Sequence, residues 1–279
     1  MKRNPPVELE DLVSIGPAML QDFALLGIKN LKQLAKQDPY RLYLQLCEIT
    51  DSRQDPCVED AFTAAIAQAR DPHLPEEQKQ WYYWSDIRKK RPKRCAWVPV
   101  GNTLMEGYHD KEWGVPVHDD RLHFEFLILE GAQAGLSWDT ILKRRVEYSK
   151  AFSGFDWTRV ADYSQNEIEL LLKHSGIIRN RLKIEGAVNN ARCYGKIIEE
   201  FGSFDSYVWS FVKNKPLQPN RKSHREIPTE TEHSKALSKD LKKRGFKFVG
   251  PTIIYAHMQA TGLINDHTHD CFRFHTLGG

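Results

Sequence analysis

The chain of 279 residues is 41% hydrophobic, 11% aromatic and 28% charged, with a net charge of +3. That length predicts two domains rather than one core, and that apolar content excludes wholesale disorder. No apolar run approaches the ~18–20 residues of a membrane span and the start, Met1-Lys2-Arg3-Asn4-Pro5-Pro6, carries no apolar signal region, so the expectation is a soluble cytoplasmic protein.

From the N-terminus, Leu9 to Ile15 reads as helical and leads into Ile15-Gly16-Pro17. Ala18 to Leu26 then runs apolar at helical spacing up to Gly27, and Asn30 caps a short helix from Leu31 to Ala35. Two short helices joined by a tight glycine turn form a helix-hairpin-helix, which aims backbone N–H groups at a phosphate without reading sequence. Many helical hairpins use the same turn for packing alone, and both readings stand. Next come Leu42 to Cys47, Asp55-Pro56-Cys57, an Ala-rich helix around Asp60 to Arg70, and Trp81-Tyr82-Tyr83-Trp84. This order resembles the "pathogenicity locus" family of small helix-hairpin-helix proteins along residues 6–88, a likeness that implies a fold more than a role. A first domain at 1–87 is the expectation. Five scattered cysteines exclude a disulfide framework and leave reduced thiols or metal ligands. Cys47 and Cys57 have no nearby histidine, so they are assigned to the core or to caps.

Residues 1–90 hold 12 Lys/Arg against 14 Asp/Glu, whereas the remainder holds 28 against 23. Between the two halves lies Arg88-Lys89-Lys90-Arg91-Pro92-Lys93-Arg94. It is read as a basic linker over 88–94, either merely solvated or acting as a strap on phosphates.

A second domain, 95–279, carries the chemistry. Leu129-Glu130-Gly131-Ala132-Gln133-Ala134-Gly135-Leu136-Ser137-Trp138 places a carboxylate inside an apolar run, then two glycines and a large aromatic. A buried carboxylate is costly unless something pairs with it, glycines admit close backbone approach, and Trp138 offers a face for stacking. The segment suits a pocket for a flat, electron-poor heterocycle; the plain alternative is a helix ending in a Gly-rich turn beside a core Trp. Cys95, His109, His267 and Cys271 make a tetrahedral zinc set. His267 and Cys271, four apart, would share one face of a helix, and a metal joining them to Cys95 and His109 would staple the domain's first segment to its last. His269 is the alternative to His267, and unconnected Cys and His residues are the plain alternative to both.

Cys95-Ala96-Trp97, Tyr108 through Pro116, Leu129 through Trp138, Gly176-Ile177-Ile178-Arg179-Asn180-Arg181, Ala236 to Lys239, Leu241 to Gly250 and Met258 to His267 follow one another in order. Along 94–271 the chain closely resembles the bacterial 3-methyladenine DNA glycosylase I family. The resemblance implies an all-α helix-hairpin-helix glycosylase fold with one structural Zn2+ on Cys95, His109, His267 and Cys271. It implies a base pocket of Glu130 and Tyr108 with Trp97, Trp138 and Trp113, the four aromatic residues having packing as their plain role. Leu136, beside Gly135, matches the residue pushed into the duplex. Gly176, Ile177, Arg179 and Arg181 match the DNA-binding hairpin. Ala132 and Pro251 depart from other members, which puts fine specificity in question.

The implied activity is hydrolytic release of 3-methyladenine from alkylated double-stranded DNA by a monomer, in base-excision repair. A base methylated at N3 is cationic and leaves readily, so the enzyme must extrude it, hold the cation and admit water. The resemblance points away from a catalytic Asp266, which is assigned to helix capping or to support of a zinc ligand. No lysine lies in the blocks where a strand-cleaving enzyme would carry one, so the reaction is expected to be monofunctional. Two other classes remain: a damage sensor that binds without cutting, and a zinc hydrolase, which needs an open metal position. The His-x-Glu and Pro-Cys-x-x-Cys signature of zinc deaminases is absent.

Overall fold

The protein, here a computed structural model, is described over residues 6–278; Met1-Lys2-Arg3-Asn4-Pro5, at the start of the expected signal-free segment, falls outside them. It is helical throughout, and among the described residues the only β pairing is an isolated bridge between Leu217 and Ile264. No described helix is long and apolar enough to cross a membrane. The chain divides into two compact units, residues 1–92 with 99–101 and residues 93–98 with 102–279.

The first unit holds α1 (Pro17–Leu25), α2 (Leu31–Leu34), α3 (Pro39–Ile49), α4 (Pro56–Arg70) and α5 (Trp81–Lys90). Three helices start on a side chain that accepts a first-turn N–H, namely Asn30, Asp38 and Asp55, and prolines open α1, α3 and α4 where no N–H is needed. The Ala-rich α4 lets α2, α3 and α5 approach it closely and closes a core of Phe23, Leu34, Leu42, Leu46, Phe62 and Ile66. Leu9 to Ile15 is not a helix, since only Leu9–Asp11 makes one 3-10 turn before Gly16 caps α1. Inside this unit the buried Asp60 receives a bidentate bond from Arg88 at 2.7 and 2.9 Å. The first three residues of the basic run therefore belong to α5, with Arg88 already committed.

The second unit holds α6 (Thr103–Lys111), α7 (Asp120–Gln133), α8 (Trp138–Leu142), α9 (Arg145–Ala151), α10 (Trp157–Ala161), α11 (Gln165–Lys173), α12 (Arg181–Phe201), α13 (Phe204–Ser210), α14 (Glu232–Lys243), α15 (Pro251–Ala260) and α16 (Phe272–Thr276). Residues His123 to Ala132 of α7 are all buried, as a helix apolar on every side must be, and α7 packs on α12, α13 and α15. Tyr194 of α12 stacks on Phe204 of α13 at 4.1 Å and donates to the Asp120 carbonyl at the start of α7 (2.6 Å). This packing fixes α7, the helix that carries Glu130. Gly131 is buried and is not on the wall of the candidate cavity, and a Cβ there would meet Phe248 at 3.5 Å, an ordinary contact, so neither ligand approach nor packing requires glycine at this position.

Candidate active site and metal centre

Two sites lie side by side in the second unit. The first is a cluster of Cys95, His109, His267 and Cys271, all buried, whose ligand atoms lie within 4.8 Å of one another. Cys95 Sγ is 3.5 Å from His267 Nδ1, and Cys271 Sγ is 3.4 Å from both His109 Nε2 and His267 Nδ1. Tetrahedral zinc, with bonds of about 2.3 Å to sulfur and about 2.0–2.1 Å to nitrogen, separates neighbouring S and N ligands by about 3.5 Å, so the donor set and its spacing fit. Each imidazole is held from behind, His109 Nδ1 by Asp110 (2.8 Å) and His267 Nε2 by the Trp113 carbonyl (3.0 Å), which leaves the other nitrogen for the cluster. Asp110 is itself fixed by a bidentate bond from Arg94.

The expected helix joining His267 to Cys271 is absent. Residues 263–270 run as bridge, coil and turn, and Cys271 is the residue before α16. The pair meets because the chain folds back, and His269, exposed against Phe274 and His275, is outside the cluster. Asp266 neither caps a helix nor supports a ligand. Fully buried, it accepts from Tyr255 Oη, from Gln259 Nε2 (2.8 Å) and from Arg221 (3.4 Å). The support expected of it comes from Asp110 and the Trp113 carbonyl.

The second site is a cavity of about 270 Å³. Its wall contains every residue assigned to the pocket from sequence: Glu130, Tyr108, Trp97, Trp138 and Trp113. The four aromatics touch in series, Trp113 on Trp97 at 5.0 Å, Trp97 on Tyr108 at 6.4 Å and Tyr108 on Trp138 at 5.2 Å. Trp113 also packs edge-on against His267 at 4.6 Å, so the metal cluster directly backs the aromatic wall. Ala132 and Pro251 are not on the cavity wall, which removes them as determinants of pocket shape by contact.

The polar groups on this side of the wall are poorly satisfied. Glu130 is only 4% exposed, and burial alone pushes its carboxyl up to about 8. Burial, with the nearby Glu130 charge, also holds the Tyr108 phenol well above its ordinary range. The indole N–H groups of Trp97 and Trp138 are buried and meet no acceptor among the described residues. Such a cavity, with an acidic group, unanswered donors and flat apolar faces, is built to receive a planar heterocycle with polar edges.

Sequence reading missed the opposite wall. Tyr255 and Gln259, one turn apart on α15, line the cavity together with Gln133, Thr252 and the segment His224, Ile227, Pro228 and Thr229. The block around Gln259 was visible, and its four-residue spacing from Tyr255 was a usable signal. The 224–229 segment offered none.

Leu136 lies outside the cavity, 40% exposed, on a turn where Gly135 has φ of +80° and Leu136 N–H donates to Gln133 (2.6 Å). A side chain at Gly135 would be strained in that left-handed conformation. The segment between α11 and α12 places Arg179 outside; Arg181 is also exposed but paired with Glu169 (2.8 Å) and Glu185 (3.4 Å). Ile177 is buried in the main core, and the half-buried Gly176 donates its N–H to His174 (3.1 Å), so both shape the turn.

A sequence profile described as methyladenine glycosylase matches residues 97–274, and one described as pathogenicity locus matches residues 2–90. The chain is 49% identical over 179 residues to DNA-3-methyladenine glycosylase 1 of Escherichia coli K12, covering 64% of this chain and 95% of that protein. A crystal structure of 3-methyladenine DNA glycosylase I superposes with a TM-score of 0.63 at 49% identity, covering 64% of this chain and 98% of that one. The Staphylococcus aureus enzyme, solved to establish its recognition of 3-methyladenine, gives 0.62 at 37% identity over 64% of this chain and 95% of its own.

Proposed function

The chain belongs to the methyladenine glycosylase family, and from that premise we infer that it is a DNA repair enzyme releasing 3-methyladenine from alkylated DNA by hydrolysis of the N-glycosyl bond. The observation that carries this reading is the convergence of Glu130 and four aromatic side chains on one cavity.

The roles follow from charge. The N3-methylated base leaves easily, so acid assistance is unnecessary, and the protein must extrude, hold and desolvate it. Stacking a cationic ring on Trp97 and Trp138 contributes about 0.5–2 kcal/mol. Glu130, with its carboxyl near 8, is mostly protonated at neutral pH before the base arrives. A cation beside it favours the carboxylate, so entry of the methylated base is coupled to loss of that proton. Neutral adenine brings no charge and leaves the carboxyl protonated. Selectivity arises from this coupling, with Tyr108 as a second polar contact. Among the described residues no lysine lines the cavity, which supports a monofunctional reaction.

Cys95, His109, His267 and Cys271 would hold one zinc ion, whose four protein ligands leave no position for water and assign it to structure. Leu136 is assigned as the wedge that fills the gap left by the extruded nucleotide. The segment from α11 to α12 is assigned as the hairpin that grips the backbone, through Arg179 and the N-terminus of α12 capped by Asn180. Residues 1–87 are taken as a separate domain of helix-hairpin-helix type, joined through the basic run. Both sites are complete within one chain, which supports action as a monomer. The deciding experiment is incubation with methylated duplex DNA and identification of the bases set free. Release of 3-methyladenine is expected, and retention of the lesion on tightly bound protein would replace the enzyme by a damage sensor.

A further inference from the structure

Lys183 lies in the first turn of α12, and its ammonium is turned inward. It donates to the carbonyls of Ala132 (2.8 Å) and Ala134 (2.6 Å) at the end of α7. The last carbonyls of a helix lack intrahelical partners and carry partial negative charge, so a lysine there both satisfies and stabilises them. The Gln133 carbonyl between them accepts the Leu136 N–H (2.6 Å). The turn that displays Leu136 is thus closed by one bond of its own and by two from Lys183.

The other end of this link is the N-terminus of α12. Asn180 caps it and Arg179 faces solvent beside it. Opening a duplex requires that one part of the enzyme hold the backbone while another enters the stack, and a turn hinged on Gly135 would recoil under that load if nothing braced it. We propose that Lys183 is a positioning residue for base extrusion, clamping the Leu136 turn to the start of α12 so that backbone grip and wedge move as one rigid piece. The proposal rests on the assignment of Leu136 as the wedge. It also gives Lys183 a role opposite to that of a surface lysine on DNA, because its charge is engaged by protein carbonyls and not offered to phosphates.

The test uses the full chain as wild type, K183M, K183R and L136A. Three quantities are read: single-turnover release of 3-methyladenine from saturating methylated duplex, affinity for free 3-methyladenine by tryptophan fluorescence, and the salt dependence of duplex affinity. K183M is expected to slow release by about tenfold or more, the scale of lost charge-assisted hydrogen bonds. Affinity for the free base should stay within about twofold and the salt slope should not change, since only a phosphate-contacting lysine lowers it by about one. K183R, whose guanidinium also reaches two acceptors, should recover most of the rate. A lowered salt slope, a parallel loss of free-base affinity, or an unchanged rate in K183M beside a slowed L136A would each overturn the clamp while leaving the wedge intact. If L136A itself releases base normally, the wedge assignment falls and the clamp with it. Should K183M fail to fold, K183Q keeps an uncharged amide NH2 and carries the same expectations at smaller size.

Discussion

The metal cluster and the aromatic cavity share a wall, yet they treat polar atoms in opposite ways. Around the cluster every nitrogen of His109 and His267 is answered, by Asp110, by the Trp113 carbonyl or by a thiol across the site. In the cavity Glu130 is buried with desolvation alone acting on it, and two indole N–H groups lack acceptors among the described residues. Leaving a buried polar group unsatisfied costs about 1–3 kcal/mol, and folding alone does not select for it. The difference separates what holds the protein together from what it holds.

The largest effect is expected on the cluster side. Cys271→Ser should abolish stoichiometric zinc binding and, because metal binding at such a site is part of the folding free energy, lower stability by at least about 3–5 kcal/mol. Metal analysis and thermal unfolding check this. One zinc per chain in the variant would remove the cluster from the account.

Glu130→Gln should do the reverse, slowing release of 3-methyladenine by about a hundredfold while the protein becomes more stable at alkaline pH. The carboxyl rises from its ordinary 4.5 to about 8 on folding, so between those values the folded state binds more protons than the unfolded one. Stability contributed by this group is therefore full below about 4.5 and is lost as pH rises towards 8. The glutamine, with no charge to bury, should lift Tm by several degrees at pH 8 and little at pH 5. The same titration gives base release a rising limb: kcat/KM for the methylated lesion should increase up to about pH 8 in the wild type and lose that limb in the variant. A variant with normal rate and unchanged Tm would take Glu130 out of the cavity.

Why these residues were legible in the sequence, and others not, has a physical basis. Glu130 stood out because a carboxylate in an apolar run must be explained, and the ligands stood out because Cys and His are rare and chemically specific. The cluster was reached partly for a wrong reason, since no helix joins His267 to Cys271 and the backbone between them is coil. Tyr255 and Gln259 carried a usable spacing signal, but nothing in the sequence ties that pair to this wall, and the 224–229 segment was hidden because its place there depends on how a long connection folds over α7. Lys183 was hidden for a similar reason: its partners are carbonyls some 50 positions away, and a carbonyl has no signature in sequence.

Asp266 tests the boundary between the two sites, since it follows the pattern of the cluster, fully answered, while its partners Tyr255 and Gln259 line the cavity. A carboxylate can only accept, so Gln259 must turn its Nε2 to Asp266, which leaves its Oε1 as the free end of the amide. Gln259→Leu should therefore lower release of 3-methyladenine by about fivefold to tenfold with zinc content unchanged. Loss of metal in that variant would merge the two sites into one structural unit.

The smallest effect is reserved for the basic run. Arg88 and Arg91 are paired with Asp60 and Glu59, and Lys93 and Arg94 with Asp270 and Asp110, which leaves exposed Lys89 and Lys90 as the charges best placed to meet phosphates. Each phosphate neutralised adds about 0.9 to the slope of log affinity against log salt, so replacing both lysines by alanine should reduce that slope by no more than about 1.8. Release at saturating DNA should be untouched, because neither residue belongs to the cluster or the cavity. An unchanged slope would mean that Lys89 and Lys90 meet no phosphate and that the run serves to join the two units.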